Sequence, residues 1–259
     1  MKSRILIKIG GRAFEGQKGF ADLAMAIESN PAVEIIIIHG GGAQISQALK
    51  DAGRKTRFID GIRVTRAADI KIIENVLSTT INQRFVSWLE ANGVACKGMS
   101  GKTEKLMVVE PLVRGDQDLG YVGQIKQVNA SVVLKAVKNG QVPVISPISA
   151  DEKGDSYNVN ADSAAAGLAI AAQCTDLVFV TDVAGVMVDN EIRSSLCVRE
   201  ARSLMGRGII QGGMVAKMEA AFEALNHNVD RVHIIQWQGP ATLGNIVNRQ
   251  SMAGTIVQA

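Results

Sequence analysis

Four isoleucines in a row, positions 35–38, lead through His39 into three glycines before an amphipathic pattern resumes, in the run "IIIIHGGGAQISQAL". β-Branched residues without alternation fit a strand covered on both faces, the environment of a parallel sheet between two helix layers. Three glycines at the carboxyl end of such a strand let backbone N–H groups approach a ligand with no side chain in between. The helix that follows adds the positive end of its dipole. The combination favours an anion.

The same strand, turn and helix texture recurs along the chain. Strand patterns at 4–9 and 34–39 alternate with helix patterns at 20–29 and 43–52, a βαβα opening that implies a parallel sheet with right-handed crossovers. A long helix is expected over 67–92, with Ile70, Ile73, Val76, Leu77, Ile81, Phe85 and Leu89 on its apolar side and Gly93 as its stop. Residues 94–128 break into short apolar runs and read as hairpins added to one sheet edge. Helices are then expected at 131–139, 161–172 and 213–225. Strands are expected at "VPVISPI", 177–180 and 231–235, with "GTIVQ" closing an edge. The polar run "PISADEKGDS" at 147–156 marks a soft boundary between residues 1–150 and 151–259, two lobes of a single domain 1–259.

Composition narrows the function classes. A formal charge of +3, with lysine and arginine scattered, gives no nucleic-acid footprint. The three cysteines, Cys96, Cys174 and Cys197, form no C-x-x-C pair, so neither a disulfide framework nor a zinc site is indicated. No stretch approaches the roughly 20 apolar residues of a membrane span, and the opening "MKSRILIKIGG" lacks a signal core. The expectation is a cytoplasmic protein with no metal cage.

Three strands end in glycine-rich or polar turns, "IKIGG", "IIHGGG" and "VTDVAGV". In a parallel sheet these ends lie along one edge, where doubly wound proteins bind ligands. The G-x-G-x-x-G dinucleotide fingerprint is absent from them. "CKGMSGKT" imitates a phosphate-binding P-loop but has Cys96 where the first glycine belongs. Lys8, near the end of a central strand, needs a partner if buried. Asp162 sits in the first turn of a helix capped by Asn160, where the helix dipole alone would account for an acid. Lys217 shares its side of a helix with Gly213, Ala220, Ala221 and Ala224, small residues that let a lysine approach another element. Arg63 is either a surface charge or a planar fork for a carboxylate.

Taken together, "KIGG", "HGGG", "GIRVT", "GYVGQI", "NVNAD", "TDVAGV" and "GGMVAK", in this order over nearly the whole chain, resemble the amino acid kinase family. The resemblance implies a three-layer αβα sandwich around a mostly parallel sheet, as in carbamate kinase-like folds. It also implies transfer of the γ-phosphoryl group of ATP, with Mg²⁺, to the side-chain carboxylate of N-acetyl-L-glutamate in arginine biosynthesis. Lys8, Asp162 and Lys217 would be catalytic. Gly41, Gly42, Arg63 and Asn158 would bind the acceptor. Gly10, Gly11, Thr181, Asp182, Val183, Ala184, Gly185, Val186, Ile209, Ile210 and Gln211 would bind the nucleotide. "GMSGKTEKL" replaces the acidic-glycine turn usual in relatives, and "IIQWQGPAT" replaces an Asp-Gly-Arg turn. A sister kinase of carrier-protein-linked aminoadipate or glutamate, or a non-catalytic nucleotide or amino-acid sensor, therefore stays as an alternative. With a strand already under way at Arg4, a homodimer insensitive to arginine is expected.

Overall fold

A computed structural model describes residues 3–10, 14, 16–59 and 61–259. Eight strands form one sheet in the order Ser195–Cys197, Thr255–Gln258, Arg231–Ile235, Asp176–Val180, Arg4–Ile9, Glu34–His39, Val142–Ser146 and Cys96–Ser100. The last six of these run parallel. Thr255–Gln258 lies antiparallel to Arg231–Ile235, and Ser195–Cys197 follows it in parallel. Thus "GTIVQ" does extend the sheet, but it is not the outermost strand.

Side-chain parity sorts the core into two layers. Ile5, Ile7, Ile9, Ile35, Ile37, Val178 and Val180 face the helices Gln17–Glu28, Gly42–Asp51, the stretch 67–90 and Ala241–Val247. Leu6, Ile36, Ile38, Leu177 and Phe179 face the helices Ser131–Lys138, Ala161–Ala171, Val198–Gly206 and Gly213–Asn226. Successive residues of a strand point to opposite faces, so Lys8 shares the side of Leu6, and His39 the side of Ile35 and Ile37. That parity decides what each can meet.

The expected hairpins at 94–128 divide in two. Cys96–Ser100 joins the main sheet as a parallel edge strand, held on one side only by Val142–Ser146. Met107–Pro111 and Val122–Val128 do pair antiparallel, but they close a separate four-stranded barrel with Ile148–Ala150 and Ser156–Val159. The polar run at 151–155 is the turn of that barrel's second hairpin. The P-loop imitation is dispelled here too, because Lys102 Nζ lies 2.8 Å from both Glu74 Oε1 and Ser156 Oγ and only the short turn Thr103–Lys105 follows it.

The long helix forms as expected but changes pitch. Ala67–Glu74 is α-helical, Asn75–Ile81 is π-helical, and Asn82–Glu90 returns to α. The cause is in the sequence: Ile73, Leu77, Ile81, Phe85 and Leu89 recur every four residues, and all are buried. At 100° per residue each such step overshoots by about 40°, or about 160° over four steps, so a pure α-helix would rotate the stripe off the sheet. A π turn takes up the excess.

The altered "SGKTEKL" segment contains two consecutive non-glycine residues in left-handed backbone, Glu104 (φ 48°) and Lys105 (φ 54°). Both are exposed. Each pays about 1–2 kcal/mol for its Cβ, offset in part by the greater unfolded-state freedom of a glycine. Glu104→Gly should therefore stabilise the protein by about 0.5–1 kcal/mol, read as a higher urea midpoint at unchanged slope; a lower midpoint would contradict the assignment. Among the described residues, no helix is long and apolar enough to cross a membrane.

Candidate active site

The carboxyl ends of the parallel strands meet the amino ends of three helices, and there the structure brings distant residues together. Asn160 caps the helix Ala161–Ala171, its Oδ1 accepting from the N–H groups of Asp162 and Ser163 at 2.8 and 3.2 Å. Asp162 is thereby fixed in the first turn beside the end of Arg4–Ile9. Lys8 Nζ lies 2.8 Å from Asp162 Oδ1, and Lys217 Nζ lies 3.1 Å from Oδ2. One buried carboxylate holds two ammonium groups, one on each oxygen.

Burial pushes the Asp162 carboxyl upward, but the two cations outweigh it and hold the group below the usual carboxylate range. Lys8 is 6% exposed, and burial, with the neighbouring Lys217 charge, lowers its pKa despite the attraction of Asp162. The result is a site with surplus positive charge that a carboxylate only partly neutralises.

A cavity of about 220 Å³ opens beside Lys8 and Asp162 but is not lined by Lys217; Gly41, Gly42, Arg63 and Asn158 are among its other walls. Gly42 begins a helix, so the first amides there have no intrahelical acceptor, and Gly40, Gly41 and Gly42 all line the cavity. Gly41 packs closely: a Cβ would displace Ile81 Cδ1 and come within 2.7 Å of Leu77 Cδ2, so those side chains would have to shift. Arg63 is 7% exposed, its guanidinium 4.7 Å above the Phe58 ring. Its Nη2 donates to the Gly42 carbonyl at 2.8 Å and to Ser46 Oγ at 2.9 Å, while Nη1 is buried with no protein partner. Asn158 Nδ2 donates to Thr65 Oγ1 at 3.2 Å, and Thr65 Oγ1 donates to the Arg63 carbonyl at 3.1 Å. Thr65, which closes the "GIRVT" motif, and Ser46, which carries no sequence signal of its own, brace this end.

Of the residues expected to bind nucleotide, none is among those lining that cavity. Gly10 offers space rather than a donor, because its N–H is taken by the Val180 carbonyl at 2.9 Å. The position of a Cβ there is 3.2 Å from that same oxygen and 4.0 Å from Lys8 Nζ. Gly11 falls outside the described residues. Thr181 continues the sheet ladder to the Ile235 carbonyl at 2.9 Å, and the Asp182 charge reaches Lys8. Val183 is exposed, whereas Val186 and Ile210 are buried in the core and can meet a ligand only through their backbone. Ala184 and Gly185 complete the turn, which is tied down by Val186 N–H donating to Thr255 Oγ1 at 2.8 Å. A Cβ on Gly185 would lie 2.8 Å from that hydroxyl. Ile209 N–H caps the Leu204 carbonyl at 2.9 Å, and Gln211 Nε2 donates to the Gly208 carbonyl.

The three histidines are dispersed, as their spacing suggests. His39 is wholly buried and bonds Gly40 and Asn82, and His233 pairs with Asp176 at 2.9 Å near the opposite end of the sheet. Among the described residues, no cluster of three or more His, Cys, Asp or Glu is arranged to hold a metal ion.

Known proteins resemble this chain in sequence and in fold. The chain is 38% identical over 247 residues to an acetylglutamate kinase of Halothermothrix orenii, covering 92% of this chain and 85% of the relative. It is 36% identical over 264 residues to an acetylglutamate kinase of Syntrophomonas wolfei, covering 98% and 90%. Among solved structures, smu.665 from Streptococcus mutans UA159 superposes with a TM-score of 0.84 at 25% identity over the full length of both chains. The sequence pattern of the amino acid kinase family matches residues 3–236, and the chain belongs to that family.

Proposed function

We propose that this protein is an acetylglutamate kinase, transferring the γ-phosphoryl group of ATP to the side-chain carboxylate of N-acetyl-L-glutamate. The observation that carries the reading is the pair of ammonium groups held on Asp162, of which Lys8, with Asp162 itself, lines a cavity that also presents the buried guanidinium of Arg63, its Nη1 without a partner among the described residues. That layout suits an acceptor with two carboxylates, one to receive phosphate and one to be gripped.

In the transition state, negative charge spreads over the oxygens of the moving phosphoryl group while an anion attacks it, so positioned cations and N–H dipoles do most of the work. Lys8 and Lys217 flank the phosphoryl group from opposite sides. Asp162 holds both lysines in place and prevents their repulsion from splaying the site. The amides of Gly41 and Gly42 receive the attacking carboxylate, which is already ionised at neutral pH and needs no general base. Arg63 Nη1 binds the acceptor's α-carboxylate, and Asn158 holds the amide end.

Residues 181–186, with Ile209, Ile210 and Gln211, cradle the nucleotide, so that residues 1–150 serve mainly the acceptor and residues 151–259 mainly the ATP, with Asn158 of the second lobe reaching the acceptor. Both oxygens of Asp162 are engaged by lysines, which leaves it unsuited as a metal ligand. Mg²⁺ would be held by the ATP phosphates, largely through water, and would neutralise part of their charge. The exposed ladder of the edge strand Cys96–Ser100 is where a second copy would add to make a homodimer.

The direct assay uses purified protein, Mg-ATP and N-acetyl-L-glutamate, with hydroxylamine trapping the acyl phosphate. Hydroxamate formation with this acceptor supports the reading, and turnover only with another carboxylate would overturn it. Arg63→Ala should raise KM for the acceptor by about 10–100-fold, the worth of a charge-assisted pair, with a much smaller change in kcat. An unchanged KM would remove Arg63 from the acceptor site.

A further inference from the structure

The mechanism above uses the amides after His39 but leaves the histidine itself unexplained. His39 is 0% exposed on the sheet face opposite Lys8. Its Nδ1 lies 3.0 Å from the Gly40 carbonyl oxygen, and its Nε2 lies 3.1 Å from Asn82 Nδ2. Asn82 is fixed in turn by the carbonyls of Met99, at 3.2 Å, and Val144, at 2.9 Å. The Gly40 carbonyl can only accept, so Nδ1 carries the single proton of the neutral imidazole and Nε2 is bare, one of three acceptors that share the two N–H hydrogens of Asn82 Nδ2. Burial agrees, holding the imidazole pKa down to about 4. The bonds therefore run one way, from Asn82 to His39 to the Gly40 carbonyl.

We propose that His39 and Asn82 are positioning residues that aim the Gly41 amide at the reacting groups, an assignment that rests on the kinase reading above. The Gly40 carbonyl and the Gly41 N–H belong to one trans peptide, in which the two bonds point in opposite directions. With the carbonyl turned toward His39, the N–H is directed to the other face, where Lys8 and Asp162 lie.

The π turn makes this possible. In an α-helix Leu77 and Asn82 would stand about 140° apart, whereas an i→i+5 turn brings residues five apart onto one face. Leu77 and Ile81 then press against Gly41 from below while Asn82 reaches His39. The change of pitch in the helix is thus coupled to the orientation of one catalytic amide.

Two substitutions separate positioning from packing. In His39→Asn, Nδ2 occupies roughly the place of Nδ1 and keeps the donor to Gly40. In His39→Gln, Oε1 takes the place of Nε2, keeping the acceptor for Asn82 but losing the donor. The expected result is a loss in kcat of about 10–100-fold for His39→Gln, with KM for ATP within about twofold, and a loss of at most about threefold for His39→Asn. Equal losses in both, tracking their thermal stability, would overturn the proposal. Should either variant fold poorly, ¹⁵N NMR of the wild-type imidazole decides independently: a protonated Nδ1 and bare Nε2 at neutral pH are expected, and the reverse tautomer would refute the relay. Kinetics are read with whichever acceptor the wild type turns over, so failure with N-acetylglutamate counts against the function and not against the relay.

Discussion

Replacing Lys8 or Lys217 by alanine is expected to lower kcat by about 10²–10³-fold in each case, the usual cost of removing one preorganised donor to a transition-state charge. The lysines reach Asp162 from different elements, Lys8 from the central strand and Lys217 from the helix Gly213–Asn226. Neither can cover for the other, because each occupies its own carboxylate oxygen. The loss should fall on kcat rather than on KM for either substrate, since the charge they stabilise is greatest in flight.

Lys8 adds a sharper distinction. Its pKa is lowered in the fold, first by desolvation, so its charged form is less favourable there than in the unfolded chain. The sign follows from linkage: at neutral pH that charge works against stability, and the penalty fades as pH rises through the folded pKa. Lys8→Met, which keeps the apolar stem and leaves Asp162 its Lys217 partner, should suppress kcat by far more than any loss of stability accounts for. A variant with normal kcat, or one whose activity falls only in step with its unfolding, would contradict the role.

Asp162→Asn is expected to be damaging in two respects. It removes the only carboxylate placed between the buried Lys8 and the part-buried Lys217 among the described residues and leaves both without that partner, a loss of about 3 kcal/mol by urea titration. It should also depress kcat at least as much as either lysine variant, because both lysines lose their anchor. The pH dependence follows from the carboxylate's lowered pKa. The stability Asp162 supplies is complete above its unfolded value, near pH 4, and is lost as pH falls through the lower folded value. The wild type should thus lose stability below about pH 4 more steeply than Asp162→Asn. Parallel acid limbs would show that the carboxylate is not ion-paired as described.

Much of this was legible in the sequence wherever the signal was local. The Ile35 to Ile38 run and the turns after Ile9, His39 and Val180 mark strands covered on both faces, and strand parity then assigns Lys8 and His39 to opposite layers. Other features depend on partners far along the chain. Cys96–Ser100 contains Lys97, Gly98 and Ser100 because an edge strand is covered less completely, so it looks like loop rather than buried sheet. The barrel closes through pairings such as Val108 with Ala150 that no local pattern announces. The helices Val198–Gly206 and Ala241–Val247 are short and lack a long apolar stripe.

The π turn is a different case, because the four-residue spacing from Ile73 to Leu89 contains it and only the angular drift had to be counted. The site divides the same way. The motifs name Lys8, Asp162 and Lys217, but that one carboxylate bridges both lysines, and that Gly10 has already spent its N–H, is visible only in three dimensions.

The central claim is that two lysines, held apart on one aspartate, flank the phosphoryl group during transfer. It is tested most directly by a crystal structure with Mg-ADP, acceptor and an aluminium fluoride mimic of that group. The account predicts Lys8 Nζ and Lys217 Nζ each within about 3 Å of a fluoride ligand, with Asp162 still joining them. Either ammonium lying beyond about 5 Å in the fully liganded complex, outside any direct hydrogen bond, would contradict it.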